Sequence, residues 1–452
     1  MNNIRMIALE CLNRIFYEEA YSNLILDAAI KNNHLDGRDS SFLSYIVLGV
    51  IERRVTLDYL IEQYSNIAFN RISNQILNIL RMGLYQIFFM DKVPDSAAVN
   101  ESVNLSKSCT NEQSSKFVNA ILRSSIRQGK IIYPNENRSF VEYLSVKYSC
   151  PTWLVSKWIK AYGKENIQKI LSSFLNGKPT YIRVNFYKTN TDELLDILNN
   201  NGITAKKTPI NGCLITEKIN NIENLDAYKN GLFYIQDITS QICAQAIKAK
   251  PEQIIADVCA APGGKSFTIS QYMNNTGQIY SFDIHEHRVQ LIKQGAQRLG
   301  ISNMEIRCND ALLIPDTIKV DSLLCDVPCS GLGVIGRKPE IKYKDPDSFK
   351  ELPKLQYDIL KRSSCILKPG GRLIYSTCTL NKAENEKVIE RFLCENTDFE
   401  LSKIGIKADN IDLCDMQLKE AINNIGNESM TTILPHTLNS DGFFIAVMER
   451  KK

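Results

Sequence analysis

Apolar residues in the first 130 positions recur at helical spacing. Ile4, Ile7, Ala8, Cys11, Leu12 and Ile15 form a stripe of the kind one face of an α-helix buries. Residues 42–51 are apolar almost all round, as in a helix enclosed by others, and Leu57, Leu60, Ile61 and Tyr64 make a narrower stripe after it. Residues 76–90 predict another helix, ended by the break at Val93, Pro94 and Asp95, and residues 100–108 and 114–127 predict two more. Helical patterning continues over 131–175, where Trp153 and Trp158 are expected in a core or a seam between domains. After Pro179 the period changes. Residues 181–186 and 213–216 read as short strands and 191–200 as a helix, with Gly202, Asn211 and Gly212 as turn residues. From residue 253 onward, continuous apolar runs at 254–258, 279–284, 304–308, 320–326 and 372–376 alternate with helical segments. Such runs suit a parallel sheet covered on both faces. The expected organisation is multidomain: an all-α bundle over residues 1–130, a helical connector over 131–175, a small α/β domain over 176–235 and a larger α/β domain over 236–452.

Length and composition agree with this division. A chain of 452 residues suggests two to four units, and 44% hydrophobic with 23% charged residues leaves enough apolar material for real cores. The longest apolar run, residues 45–51, is far too short to span a bilayer, and the first fourteen residues alternate apolar with polar, so export and membrane insertion are not expected. Thirteen cysteines without a C-x-x-C pair predict reduced thiols in a cytoplasmic protein rather than disulfides or zinc. His285 and His287 have no cysteine partners nearby, and no metal site is expected. The net charge is +4, and residues 131–250 carry the surplus, with 15 basic against 10 acidic side chains. A polyanion would be drawn there first.

The chemistry gathers where the predicted strands end, which is where an open parallel sheet binds its ligand. After the first of these strands come Cys259, Ala260, Ala261, Pro262, Gly263, Gly264 and Lys265. The two glycines let the backbone turn tightly against a ligand. A P-loop would need glycine where Cys259 stands, and no G-x-G-x-x-G fingerprint is present. Asp283 ends the second strand, placed to accept hydrogen bonds from ribose hydroxyls, and Asp310 follows the third, beside the expected adenine. Acids in succession on a glycine-turn fold point to an adenosyl cofactor.

Two resemblances bear on the function. Residues 42–50, 80–87, 93–107 and 116–123 are similar to the NusB family of RNA-binding antitermination factors, which implies an RNA-docking module with Arg5, Arg14 and Lys116 as candidate phosphate contacts. The motif at residues 260–265, Asp326-Val-Pro-Cys-Ser-Gly331, Ser376-Thr-Cys-Thr379, and Leu434-Pro-His436 followed by Asp441-Gly-Phe-Phe444 resemble, in this order, the RNA cytosine-5 methyltransferases. That resemblance implies a Rossmann-like, S-adenosylmethionine-dependent domain in which residues 259–265, Asp283, Asp310 and Asp326 bind the cofactor, with Arg288 a further candidate. With the NusB-like module in front, the chain is similar to the bacterial enzymes that modify cytosine 967 of 16S rRNA. Val327 departs from the alanine common in the family, a small apolar change.

Carbon 5 of cytosine attacks a methyl sulfonium poorly unless a thiolate has first added to carbon 6. A cysteine is therefore required, and both Cys329, which follows a proline, and Cys378, just past a strand, are candidates. The resemblance assigns attack to Cys378 and release of the methylated product to Cys329. Asp326 is the acid best placed to stabilise the adduct near N3. The target base has to be single-stranded or flipped from its stack, and Lys265, Arg337, Lys338 and Lys382 are candidates to line its entry. Another RNA such as tRNA, or an inert RNA-binding assembly factor, are the alternatives, and the intact Cys378, Cys329 and Asp326 weigh against the second.

Overall fold

The structure is a computed structural model and describes residues 3–18, 20–217, 222–409 and 415–452. It divides into two compact units, Met1–Leu175 with Arg337–Lys344, and Asn176–Gly336 with Asp345–Lys452.

The first unit is helical: α1 (Ile4–Tyr17), α2 (Ser22–Asn32), α3 (Gly37–Tyr64), α4 (Asn74–Phe89), α5 (Asp95–Cys109), α6 (Glu112–Gln128), α7 (Phe140–Lys147) and α8 (Thr152–Leu175). Side chains of Asn3, Asp36, Ser73 and Asn111 accept hydrogen bonds from the first turns of α1, α3, α4 and α6, as good N-caps do. The two apolar stripes predicted separately between residues 42 and 64 lie on one 28-residue helix, because the intervening Glu52, Arg53 and Arg54 are helix formers and Arg54 pairs with Asp58 one turn on. Residues 129–139 are not helical, contrary to the reading of 131–175 as continuously so; Gly129 ends α6 at φ +70° and Pro134 follows. Leu12, Ile46, Val47, Leu80 and Leu122 are fully buried in the core, and the buried Arg81 guanidinium bonds Asp58 at 2.6 and 2.9 Å.

Residues 337–344 complete this unit from far along the chain. The Glu340 carboxylate accepts from the Ser22 N–H at 3.3 Å and its hydroxyl at 3.0 Å, capping α2, whose own preceding residue Tyr21 makes no side-chain cap. Lys342 Nζ donates to the Glu52 carbonyl and the Tyr343 hydroxyl to the Ile51 carbonyl, at 2.7 and 2.8 Å. Burial lowers the Lys342 pKa to about 8.

The second unit begins with a small antiparallel sheet of β1 (Thr180–Val184), β2 (Ala205–Lys207), β3 (Cys213–Thr216) and β4 (Phe233–Ile235) in the order β2-β3-β1-β4, with α9 (Thr191–Asn200) and the short α10 (Asp226–Lys229). After α11 (Ile238–Ala246) the chain forms β5 (Ile254–Asp257), α12 (Gly264–Tyr272), β6 (Gln278–Asp283), α13 (Glu286–Leu299), β7 (Met304–Cys308), β8 (Val320–Asp326), α14 (Leu352–Ser364), β9 (Leu367–Thr377), α15 (Glu386–Glu395), β10 (Phe399–Leu401), α16 (Met416–Asn427), β11 (Met430–Ile433) and β12 (Phe443–Arg450). The larger sheet runs β10-β12-β9-β8-β5-β6-β7, with β11 also paired to β12. Strands β5 to β9 are mutually parallel; β12 lies antiparallel to β9. The parallel five are the predicted runs, while β10, β11 and β12 extend the sheet beyond the sequence reading. Strand order reverses between β5 and β8, so the crevice of a doubly wound sheet opens at the ends of those two strands. Among the described residues no helix is long and apolar enough to cross a membrane.

Candidate active site

At that crevice Asp257 ends β5 and Asp326 ends β8. Between β5 and α12 the chain turns through Gly263 at φ +106°, where a Cβ would lie 2.4 Å from the Phe267 ring, so glycine is required twice over. A pocket of about 200 Å³ forms here. Its wall comprises Ala260, Ala261, Pro262, Gly264, Lys265 and Asp326, all named from the sequence, together with Asp257 and, from the end of β4 and start of α11, Ile235, Gln236, Asp237 and Ser240.

Two atoms in this wall, Asp257 Oδ1 and Gln236 Nε2, are buried without a hydrogen-bond partner among the described residues. Asp257 Oδ2 accepts from Ser266 Oγ at 2.7 Å. Burial pushes the Asp257 carboxyl up to about 7, against the easing influence of Ser266, Lys265 and the Cys259 backbone. The Gln236 amide is oriented by its neighbours. Thr268 Oγ1 donates to Gln236 Oε1 at 2.7 Å and its oxygen meets the Tyr234 hydroxyl at 2.7 Å, so Tyr234 donates to Thr268, Thr268 to Gln236, and Nε2 is left as an unused donor. Lys265 Nζ bonds Asp326 Oδ2 at 2.6 Å, and Ser376 Oγ donates to Asp326 Oδ1 at 2.7 Å. Burial disfavours the Lys265 ammonium, but Asp326 outweighs it and raises the lysine above its ordinary value.

The neighbouring strand ends carry the other predicted ligands. Asp283 ends β6 and is buried; its Oδ1 accepts from the His285 N–H at 3.1 Å, and Arg288 lies 3.5 Å from its Oδ2. Asp310 follows β7 and accepts from the Leu312 N–H at 2.9 Å, leaving one carboxyl oxygen outside that cap.

Cys329 Sγ and Cys378 Sγ are 3.2 Å apart. Cys329 sits in the loop after β8 and Cys378 follows β9, the strand paired to it. The loops touch through backbone: Gly333 N donates to the Cys378 carbonyl at 2.9 Å and Gly442 N to the Gly333 carbonyl at 2.8 Å. A Cβ on Gly333 would fall 2.0 Å from the Gly442 oxygen and 2.7 Å from the Cys378 oxygen. Its hydrogen bond to Cys378, followed by burial, holds the Cys329 pKa well above the ordinary thiol value. Either sulfur can donate in this contact.

The basic residues suggested for RNA are less gathered. In the helical unit, Arg5 donates to Gln86 at 2.9 Å, Arg14 pairs with Glu18 at 3.5 Å and Lys116 with Glu112 at 3.0 Å. Arg337 and Lys338 belong to the segment that completes that unit, while Lys382 is exposed in the turn between Cys378 and α15. Sequence reasoning missed Asp257, Gln236 and Asp237 as site residues. Asp257 ends the first parallel strand, two residues before the glycine motif, and Asp237 reads as the N-cap it also is, accepting from the Thr239 N–H at 3.0 Å.

Comparison with known proteins places each part of the chain in a family. Residues 2–127 match the NusB family, residues 150–223 the RsmF/B-like ferredoxin-like domain, and residues 244–449 the family described as 16S rRNA methyltransferase RsmB/F. The probable ribosomal RNA small subunit methyltransferase B of Bacillus subtilis is 36% identical over 453 residues, covering 99% of both chains. Its counterpart from Synechocystis is 35% identical over 459 residues, covering both completely. Among solved structures, PH0851 superposes over 99% of this chain and 98% of its own with a TM-score of 0.79 at 25% identity. A Pyrococcus horikoshii methyltransferase homologue matches 69% of this chain and 99% of its own at 0.58, with 28% identity. With a NusB-like helical module, a ferredoxin-like domain and a Rossmann-like catalytic domain in one chain, the protein belongs to the RsmB/F family of 16S rRNA methyltransferases, which take their methyl group from S-adenosylmethionine.

Proposed function

We propose that this protein methylates carbon 5 of a cytosine in 16S rRNA, the cytosine-967 position implied by its resemblance, by way of a covalent bond from Cys378 to carbon 6. The observation that carries the reading is the thiol pair 3.2 Å apart at the ends of β8 and β9. The family resemblance assigns attack to the Cys378 sulfur, as its thiolate. As the sulfur–carbon bond forms, electron density moves onto the ring, and Asp326, held by Lys265 and Ser376, is the group that carries a proton to N3 so that the adduct is neutral. Attack at carbon 6 turns carbon 5 into a nucleophile. Bound S-adenosylmethionine supplies an electrophilic methyl group. Loss of the carbon 5 proton then restores the ring double bond as the carbon 6 bond to sulfur breaks, and Cys329 serves this release.

The unpartnered wall atoms suit the cofactor's amino-acid end: Asp257 Oδ1 is an acceptor for an ammonium and Gln236 Nε2 a donor for a carboxylate. Asp283, steadied by Arg288, takes the ribose hydroxyls, Asp310 lies toward the adenine, and Cys259 with residues 260–265 forms the turn against which the cofactor lies. The helical module adds RNA affinity, and the work is done in the cytoplasm on an unpaired or flipped cytosine.

Paired cysteine variants test the chemistry. Cys378→Ala is expected to give no methylated RNA and no protein–RNA adduct, whereas Cys329→Ala accumulates an adduct that survives denaturing electrophoresis. A trapped complex from Cys378→Ala instead would reverse the two roles.

A further inference from the structure

Glu384 and Asn385 stand side by side immediately before α15, and both are completely buried. Neither lines the pocket. The Glu384 carboxylate accepts from Ser330 N at 2.8 Å, Ser330 Oγ at 2.5 Å, Gln356 Nε2 at 2.9 Å and Asn381 Nδ2 at 2.7 Å, two donors on each oxygen. Gln356 Nε2 also donates to the Pro328 carbonyl at 2.8 Å. The peptide groups on both sides of Cys329, the carbonyl before it and the N–H after it, are therefore held by Glu384 and its partner.

Asn385 does the same for the other thiol. Thr377 Oγ1 donates to its Oδ1 at 2.6 Å and its Nδ2 donates to the Thr379 carbonyl at 3.0 Å, which fixes the residues before and after Cys378. Asn385 is the N-cap of α15 by position, yet its side chain makes no capping hydrogen bond to its own helix. A stability role alone would favour the cap; here the amide is turned to the cysteine loop instead. The two clamps are joined. Ser330 Oγ lies 2.7 Å from Thr379 Oγ1, and since the Ser330 proton goes to Glu384, Thr379 is the donor. The Tyr375 hydroxyl, from β9, bonds the Glu384 carbonyl at 2.6 Å and ties the pair to the sheet.

We propose that Glu384 and Asn385 are positioning residues with divided duties: Glu384 sets the Cys329 loop and Asn385 the Cys378 loop, and together they hold the two sulfurs in register. The inference rests on the two-cysteine reading above. It requires that the two half-reactions be separable by substitution in the clamp, since each side chain braces a different thiol. A misplacement of about 1 Å at a reacting group costs about 100-fold in rate.

The test is single-turnover methylation of a 16S rRNA transcript with tritiated S-adenosylmethionine, following adduct on denaturing gels and released methylated RNA separately. Asn385→Ala and Thr377→Val are expected to slow adduct formation about 10- to 100-fold without accumulation. Glu384→Gln and Ser330→Ala should form adduct within about threefold of the unaltered protein but release it about 10- to 100-fold more slowly, so that the adduct builds up. Thr377→Val and Ser330→Ala each delete one hydroxyl, and they carry the test if either larger change fails to fold. Equal slowing of both steps in all four variants, or the inverse pattern, overturns the proposal. If Cys329→Ala traps RNA while the four clamp variants fail to partition, the clamp assignment alone is wrong. If Cys329→Ala does not trap, the two-cysteine reading falls and the clamp proposal with it.

Discussion

The pocket and the cysteine loops lie at the ends of neighbouring strands, yet they treat their buried polar groups in opposite ways. In the pocket wall Asp257 Oδ1 and Gln236 Nε2 have no partner among the described residues. In the loops Glu384, Asn385, Ser330, Thr377 and Thr379 are bonded to one another, with Gln356 Oε1 the exception. An unmet buried polar group costs about 1 to 3 kcal/mol, so its persistence is informative. Under the proposed function, the bound cofactor brings the missing donor and acceptor to the wall. The loops are complete beforehand, because bond making tolerates little rearrangement at the moment of reaction. One half of the site is built to be finished by binding, the other to stay as it is.

The comparison breaks most severely at Gly333, where the loops touch through backbone. Gly333→Ala forces the two loops apart, since its Cβ has no room beside the Gly442 and Cys378 carbonyls. Methyl transfer is expected to fall by at least about 100-fold, while calorimetric affinity for S-adenosylmethionine changes by less than about threefold. A matching loss of affinity would mean that the two halves are not independent.

A smaller effect is expected on the binding half. Asp283→Ala removes charge-assisted hydrogen bonds to the ribose, about 1.5 to 3 kcal/mol, and so weakens the cofactor about 10- to 100-fold in a protein whose circular dichroism is unchanged. Unaltered affinity in that folded variant would remove Asp283 from the site.

The smallest effect is a pH dependence that sharpens the contrast. Asp257 titrates at about 7 in the folded protein, raised from 3.8 by burial. Its contribution to the stability of the free protein is thus fully present below its unfolded value and is lost as pH rises through about 7. A cofactor ammonium beside Oδ1 favours the ionised form. Affinity should therefore climb as pH rises toward 7, by at most about tenfold per unit, and level off above it. Titrations between pH 6 and 8 check this, with Asp257→Asn expected to be weak and flat; a pH-independent wild type would place the ammonium elsewhere.

How much of this could be read in advance follows from which interactions are local. The five parallel strands and the glycine turn were legible because continuous apolar runs and Gly263-Gly264 act within a few residues of sequence. The 3.2 Å approach of Cys329 and Cys378 was not, since it depends on the pairing of β8 with β9 and on Gly333 reaching Cys378. Gln236 escaped for a similar reason: as a lone amide after a three-residue strand, it gains meaning only once Thr268 and Tyr234 fix its orientation. Glu384 and Asn385 drew no reading from the sequence, because an acid and an amide before a helix show their partners only once the Cys329 and Cys378 loops are in place.

The return of residues 337–344 to the helical unit has a consequence for biosynthesis. The ribosome delivers α1 to α8 first, but Glu340, Lys342 and Tyr343, which cap α2 and bond the carbonyls of Ile51 and Glu52, emerge more than 160 residues after Leu175. The N-terminal module therefore waits, with the start of α2 uncapped, until about half of residues 236–452 have been translated. Maturation of the two ends of the polypeptide is coupled in time, and the segment that couples them lies between the two cysteines.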